Sequence, residues 1–186
     1  RTGGCNTAVG YGAMYPNLTG AGNTAIGLNA LYQNSSGNNN TASGYQALRL
    51  NTTGSGNAAT GYWALGKNTT GCYNNAVGYM ALCCTTTGKY NNAVGTGANS
   101  IGTTGCFNTS MGHNALYGNT TANFNTAVGA CTLYANTTGS QNVGVGYSAL
   151  AANTCGNYNV ATGVSALVSN TTGSNNTATG HAAVTS

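Results

Sequence analysis

Asn6-Thr7-Ala8-Val9-Gly10 returns, one side chain altered, as Asn23-Thr24-Ala25-Ile26-Gly27. The step is 17 residues, and it repeats without insertion or deletion. Units begin at Asn6, Asn23, Asn40, Asn57, Asn74, Asn91, Asn108, Asn125, Asn142, Asn159 and Asn176. The consensus is N-T-A-V-G-Y-x-A-L-x-x-N-T-T-G-x-x. Strict spacing through eleven starts means that each unit occupies an equivalent place in a repeating structure. Disordered low-complexity sequence has no reason to hold such register.

Writing the units under one another gives seventeen columns. Column 1 is Asn and column 5 is Gly in all eleven copies. Column 3 is Ala except at Ser110 and Gly144, and column 8 is Ala except at Thr132. Column 9 is mostly Leu. Column 12 is Asn except at Thr85 and Gly102, and column 15 is Gly except at Ala122. Columns 7, 10, 11, 16 and 17 accept Trp63, Arg49, Lys67 and Lys89 alike.

Seventeen residues are too few for a two-helix repeat, and the Gly, Asn and β-branched content disfavours helix. One coil of a β-solenoid or β-roll fits, so the chain is expected to be all-β. About eleven coils at about 4.8 Å each make a rod roughly 50 Å long. Two strands are expected per coil, at columns 2 to 6 and 8 to 11. The N-T-T-G segment reads as a turn, with Asn of column 12 and Gly of column 15 supplying left-handed backbone. Leu of column 9 is the best core position. Column 4 (Val9, Ile26, Ser43, Thr60, Met111, Thr162) could line a core or a subunit interface. Asn in columns 1 and 12 can form axial amide ladders. Residues 1–186 make one repeat domain, and neither end reads as a polar cap. The expectation is therefore a segment of a longer array or filament.

Composition narrows the chemistry. The chain has 186 residues, no Asp or Glu, four Lys or Arg, and a net charge of +4. Paired-carboxylate catalysis, Asp/Glu calcium or magnesium sites and a Ser-His-Asp triad are excluded, and no enzyme is expected. The cations Arg1, Arg49, Lys67 and Lys89 are scattered, which argues against nucleic acid as a partner. No apolar run is long enough for membrane insertion. Seven Cys and two His carry no CxxC or other ligand spacing, so neither a metal nor a cofactor is expected. Cys72 and Cys106 share column 16 two coils apart, about 9.6 Å at strand spacing, too far for a disulfide.

Three surface features remain. Aromatic residues recur in column 6 (Tyr11, Tyr45, Tyr62, Tyr79, Tyr147), column 10 (Tyr15, Tyr32, Tyr117, Tyr134) and column 17 (Tyr73, Tyr90, Phe107, Phe124, Tyr158). They read chiefly as stacked ladders, and otherwise as a glycan-binding stripe. N-x-[ST] sequons recur in column 12, at Asn17, Asn34, Asn51, Asn68, Asn119, Asn136 and Asn170. These can carry N-glycans only where that turn is exposed. Thr in columns 2, 13 and 14 offers a regular surface of the kind that orders water in ice-binding proteins. Adjacent Thr, such as Thr52 and Thr53, would however face opposite ways in a strand.

The unit carried by Asn125-Thr126-Ala127-Val128-Gly129 and Asn136-Thr137-Thr138-Gly139 resembles repeats of bacterial and phage tail-fibre-like proteins. More loosely, it is similar to the head repeats of trimeric autotransporter adhesins, whose unit is shorter. The resemblance implies a surface or secreted fibre, often trimeric, that projects or adheres. The functional expectation is a structural subunit of an extracellular fibre, filament or adhesive stalk, at the cell or virion surface. Its partner is expected to be itself, as a homotrimer or head-to-tail filament. The alternative is a surface-binding module for glycans or ice.

Overall fold

The computed structural model describes residues 3–184, so Arg1 lies outside it. Eleven three-residue strands, from β1 (Thr7–Val9) to β11 (Thr177–Thr179), form one parallel sheet in chain order. Each residue pairs with the one 17 positions on, as Thr7 with Thr24 and Ala8 with Ala25. The fold is an all-β solenoid, with one strand added per coil. Among the described residues there is no helix.

The core is narrow. Ala of columns 3 and 8 and Leu of column 9 are buried along the rod, beside Asn of columns 1 and 12. Small side chains fill columns 3 and 8 because opposite walls of a 17-residue coil stand close. Where column 8 carries the larger Thr132, the facing column 3 residue is Gly144, on which a Cβ would meet the Thr132 methyl. Leu31, Leu48, Leu65 and Leu82 are fully buried, and Leu116, Leu133 and Leu150 continue the column. Each buried Leu contributes about 1.5–3 kcal/mol.

Three sequence-level expectations need correction. The first strand covers columns 2 to 4 only. The second, expected at columns 8 to 11, is not a strand. That wall does hydrogen-bond along the axis, as Leu31 N to Ala47 O (2.9 Å) and Gln33 N to Arg49 O (3.0 Å). Its backbone is left-handed at alternate residues, however, with φ of 54° at Asn29 and 52° at Leu31. Tight bonds within the coil, such as Asn51 N to Leu48 O (3.2 Å), fold it into successive turns.

The left-handed positions are thus columns 5, 7, 9 and 17, not 12 and 15. Gly of column 15 answers a different need, close approach. A Cβ on Gly54 would overlap the Gly71 carbonyl and the Asn51 carboxamide. Column 5 requires Gly twice over: Gly95 has φ of +134°, and a Cβ there would meet Gly112. Leu in column 9 is placed left-handed against its own preference, at a cost of about 1–2 kcal/mol. Burial of its side chain offsets that cost.

Column 4 is resolved as well. Its side chains point outward, with Val9 56% and Ile26 46% exposed, while from Ala25 onward the Ala between columns 2 and 4 is buried. Strand alternation dictates this: once column 3 faces the core, columns 2 and 4 face solvent.

Candidate functional surfaces

Two columns of Asn organise the interior. In column 1, each backbone N–H donates to the carboxamide oxygen of the Asn one coil back. The series runs from Asn23 to Asn6 (2.8 Å) through Asn91 to Asn74 (3.0 Å) to Asn176 to Asn159 (3.0 Å). All ten steps are made. The carboxamide nitrogen turns across the coil to the column 15 carbonyl, as Asn57 Nδ2 to Gly71 O at 2.8 Å. In column 12, the Nδ2 donates to that same carbonyl and to the Asn one coil back, as Asn51 to Gly54 O (2.9 Å) and Asn34 Oδ1 (2.8 Å). A carboxamide supplies two donors and an acceptor together at one buried position, which a hydroxyl or a carboxylate does not.

This geometry removes the glycan sites. Asn34, Asn51, Asn68, Asn119 and Asn136 are buried, and the nitrogen that would bear a sugar donates inside the coil. Asn17 and Asn170 are half-buried and make the same bond, to Gly20 O and Gly173 O. A glycan at any of the seven would have to break the coil.

Column 12 is interrupted at Thr85 and Gly102. In the coil of Gly102, column 9 carries Asn99 in place of Leu. Asn99 is buried, its carboxamide oxygen fills the space a side chain at Gly102 would take, and that oxygen has no hydrogen-bond partner. The apolar core divides here, one cluster ending at Ala98 and the next starting at Ala115. The paired departure at columns 9 and 12 of one unit is visible in the sequence, although only the structure gives it meaning.

The aromatic columns form stacks in part: Tyr15 and Tyr32 are tilted by 48° with centroids 6.3 Å apart, Tyr11 and Tyr147 stand exposed, and the remaining runs stack. Tyr45, Tyr62 and Tyr79 lie 5.1 and 5.2 Å apart between ring centroids. Tyr73, Tyr90, Phe107 and Phe124 follow at 5.2, 4.9 and 5.1 Å, and Tyr117 meets Tyr134 at 5.3 Å. Planes differ by 4–12° throughout these stacks. Their spacing is close to the strand spacing. Within a stack the ring faces are covered by neighbours and the edges are left to solvent.

The Thr columns differ from one another. Column 13 hydroxyls donate to the carbonyl of the next coil, as Thr52 Oγ1 to Thr69 O (2.9 Å) and Thr103 Oγ1 to Thr120 O (3.0 Å). Column 2 Thr instead shares the outer face of the sheet with column 4.

The cysteines are free, with Cys5 and Cys155 exposed and Cys83 buried. The Lys67 ammonium lies 3.6 Å from Cys84 Sγ. Burial, and then the neighbouring Cys84, push the Cys83 thiol up to about 12. Among the described residues no three His or Cys gather as metal ligands. Among the described residues no helix is long and apolar enough to cross a membrane. The Arg49 guanidinium carbon sits 6.0 Å from the Trp63 ring centroid, a cation–π contact between adjacent coils. No protein-family model, curated protein or solved structure matches this chain.

Proposed function

We propose that this chain is a stiff segment of an extracellular or surface fibre, filament or adhesive stalk, and that its task is mechanical. The observation that carries the reading is the unbroken column 1 ladder from Asn6 to Asn176. Carboxamide, strand and turn-wall bonds all run along one axis, so bending or extending the rod strains every coil together. Tolerant columns on the outside change without touching that framework. Self-association into a trimer or head-to-tail filament belongs to the same reading.

The alternative, a module that binds glycans or ice, has less support. Sugar stacking needs open aromatic faces, and within the stacks those faces are covered. Column 13 hydroxyls are engaged with the backbone. Negative-stain electron microscopy of the purified chain tests the proposal: rods about 50 Å long, or multiples of that length, are expected. Compact particles without a long axis, or a random-coil circular dichroism spectrum, would overturn it.

A further inference from the structure

We infer that the outer face of the sheet is a seam on which a second copy of this chain packs its own sheet face. The inference rests on the rod reading and adds to it a side-by-side contact between two rods, distinct from head-to-tail joining.

The exposed large apolar side chains are distributed unevenly. Columns 2, 4 and 6 hold more than half of them, among them Val9, Ile26, Val77, Met111 and Val145 on the strands themselves. Tyr45, Tyr62 and Tyr79 border the same strip. Ordinary solenoid alternation would put polar residues outward here. The strip contains no Lys or Arg: Arg49, Lys67 and Lys89 fall in columns 10, 11 and 16. Its basic groups are the imidazoles of His113 and His181, in the bordering column.

Size fits the occupant. Eleven strands at about 4.8 Å, and columns 2 to 4 at about 3.3 Å per residue, give a flat strip of about 500 Å², which the protruding side chains and the bordering column 6 rings extend. A stable protein–protein interface buries about 800 Å² on each partner. Chemistry fits it too. β-Branched side chains in register every 17 residues form parallel ridges, and an identical set of ridges can interdigitate with them as two sheets about 10 Å apart. A chain with no Asp or Glu cannot offer a partner face that pairs charges, so an uncharged seam is the contact it can make with itself.

Sedimentation equilibrium of the whole chain, with circular dichroism in parallel, tests this. The expected mass is at least twice the 18.4 kDa chain. Val77→Lys with Val145→Lys should return it to a single chain with an unchanged spectrum. Val77→Thr with Val145→Thr, conservative because column 4 already holds Thr60 and Thr162, should weaken assembly at least tenfold. Ser55→Lys, in the column that already holds Lys89, should leave it intact. A folded wild-type chain of single mass overturns the seam and leaves the rod standing. Assembly that survives both double variants places the contact elsewhere and overturns it as well. An unfolded wild-type chain would remove the rod and the seam together.

Discussion

The carboxamide nitrogens of Asn23 and Asn34 converge on one oxygen, the carbonyl of Gly37, at 2.8 and 2.9 Å. One acceptor thus ties two walls of the coil together, and column 15 must be small to let both in. The same convergence recurs at Gly54, at 2.9 Å from both Asn40 and Asn51.

A carboxylate cannot replace either donor. In an Asn57→Asp variant the side chain would still accept from Asn74 N, yet would face the Gly71 carbonyl and Asn40 Oδ1 with no proton to give. The expected loss is about 3 kcal/mol or more at neutral pH. Burial raises the folded-state pKa of such an Asp above its unfolded value of about 3.9. The loss should therefore be small below that value and grow as pH rises through the folded pKa. Urea denaturation of the variant at pH 4 and pH 7 checks the sign, with higher relative stability expected at pH 4.

The break at Asn99 should be repairable. Asn99→Leu with Gly102→Asn restores column 9 and one of the two gaps in column 12, removes a buried oxygen without a partner and joins the two apolar clusters. A gain of about 2 kcal/mol is expected from those changes. Native-state hydrogen exchange should show the wild-type amides of this coil opening before those around Leu48 and Leu150. The double variant should lose that difference.

Backbone handedness gives two substitutions of opposite sign. Gly95→Ala places a Cβ at φ of +134° and against Gly112, and should cost about 3 kcal/mol or more. Ser148→Gly, at φ of 55° in a column where Gly12 and Gly97 already occur, should be neutral or stabilising by up to about 1 kcal/mol. Paired thermal melts would separate them.

The thiols should react in order of burial. With Cys83 pushed up to about 12 by burial, its reactive thiolate is scarce at pH 8. Cys5 and Cys155 should alkylate first with iodoacetamide, and Cys83 only after the rod unfolds. Peptide mass spectrometry across a denaturant series reads this directly.

The sequence by itself determined the coil. An unslipped 17-residue step, with Asn and Gly invariant at columns 1 and 5, requires equivalent coils stacked in register, because any other arrangement would let the units drift. The Leu core was legible from its recurrence at column 9. The absence of Asp and Glu now has a local meaning inside the rod, where Asn40, Asn51 and Asn57 must donate as well as accept.

Only the tertiary structure decided which way each column faces. Hydrophobicity alone would favour Ile26 and Val77 over Ala25 and Ala76 for the interior, yet the Ala column is inside. The reason is steric: the walls of so short a coil approach too closely for a branched side chain, so volume outranks hydrophobicity at column 3. The same crowding turns columns 8 to 11 from the expected strand into left-handed turns. It also closes the column 12 sequons within the coil. A repeat establishes that its units are equivalent, and the closing of the coil in three dimensions settles what lies inside each one.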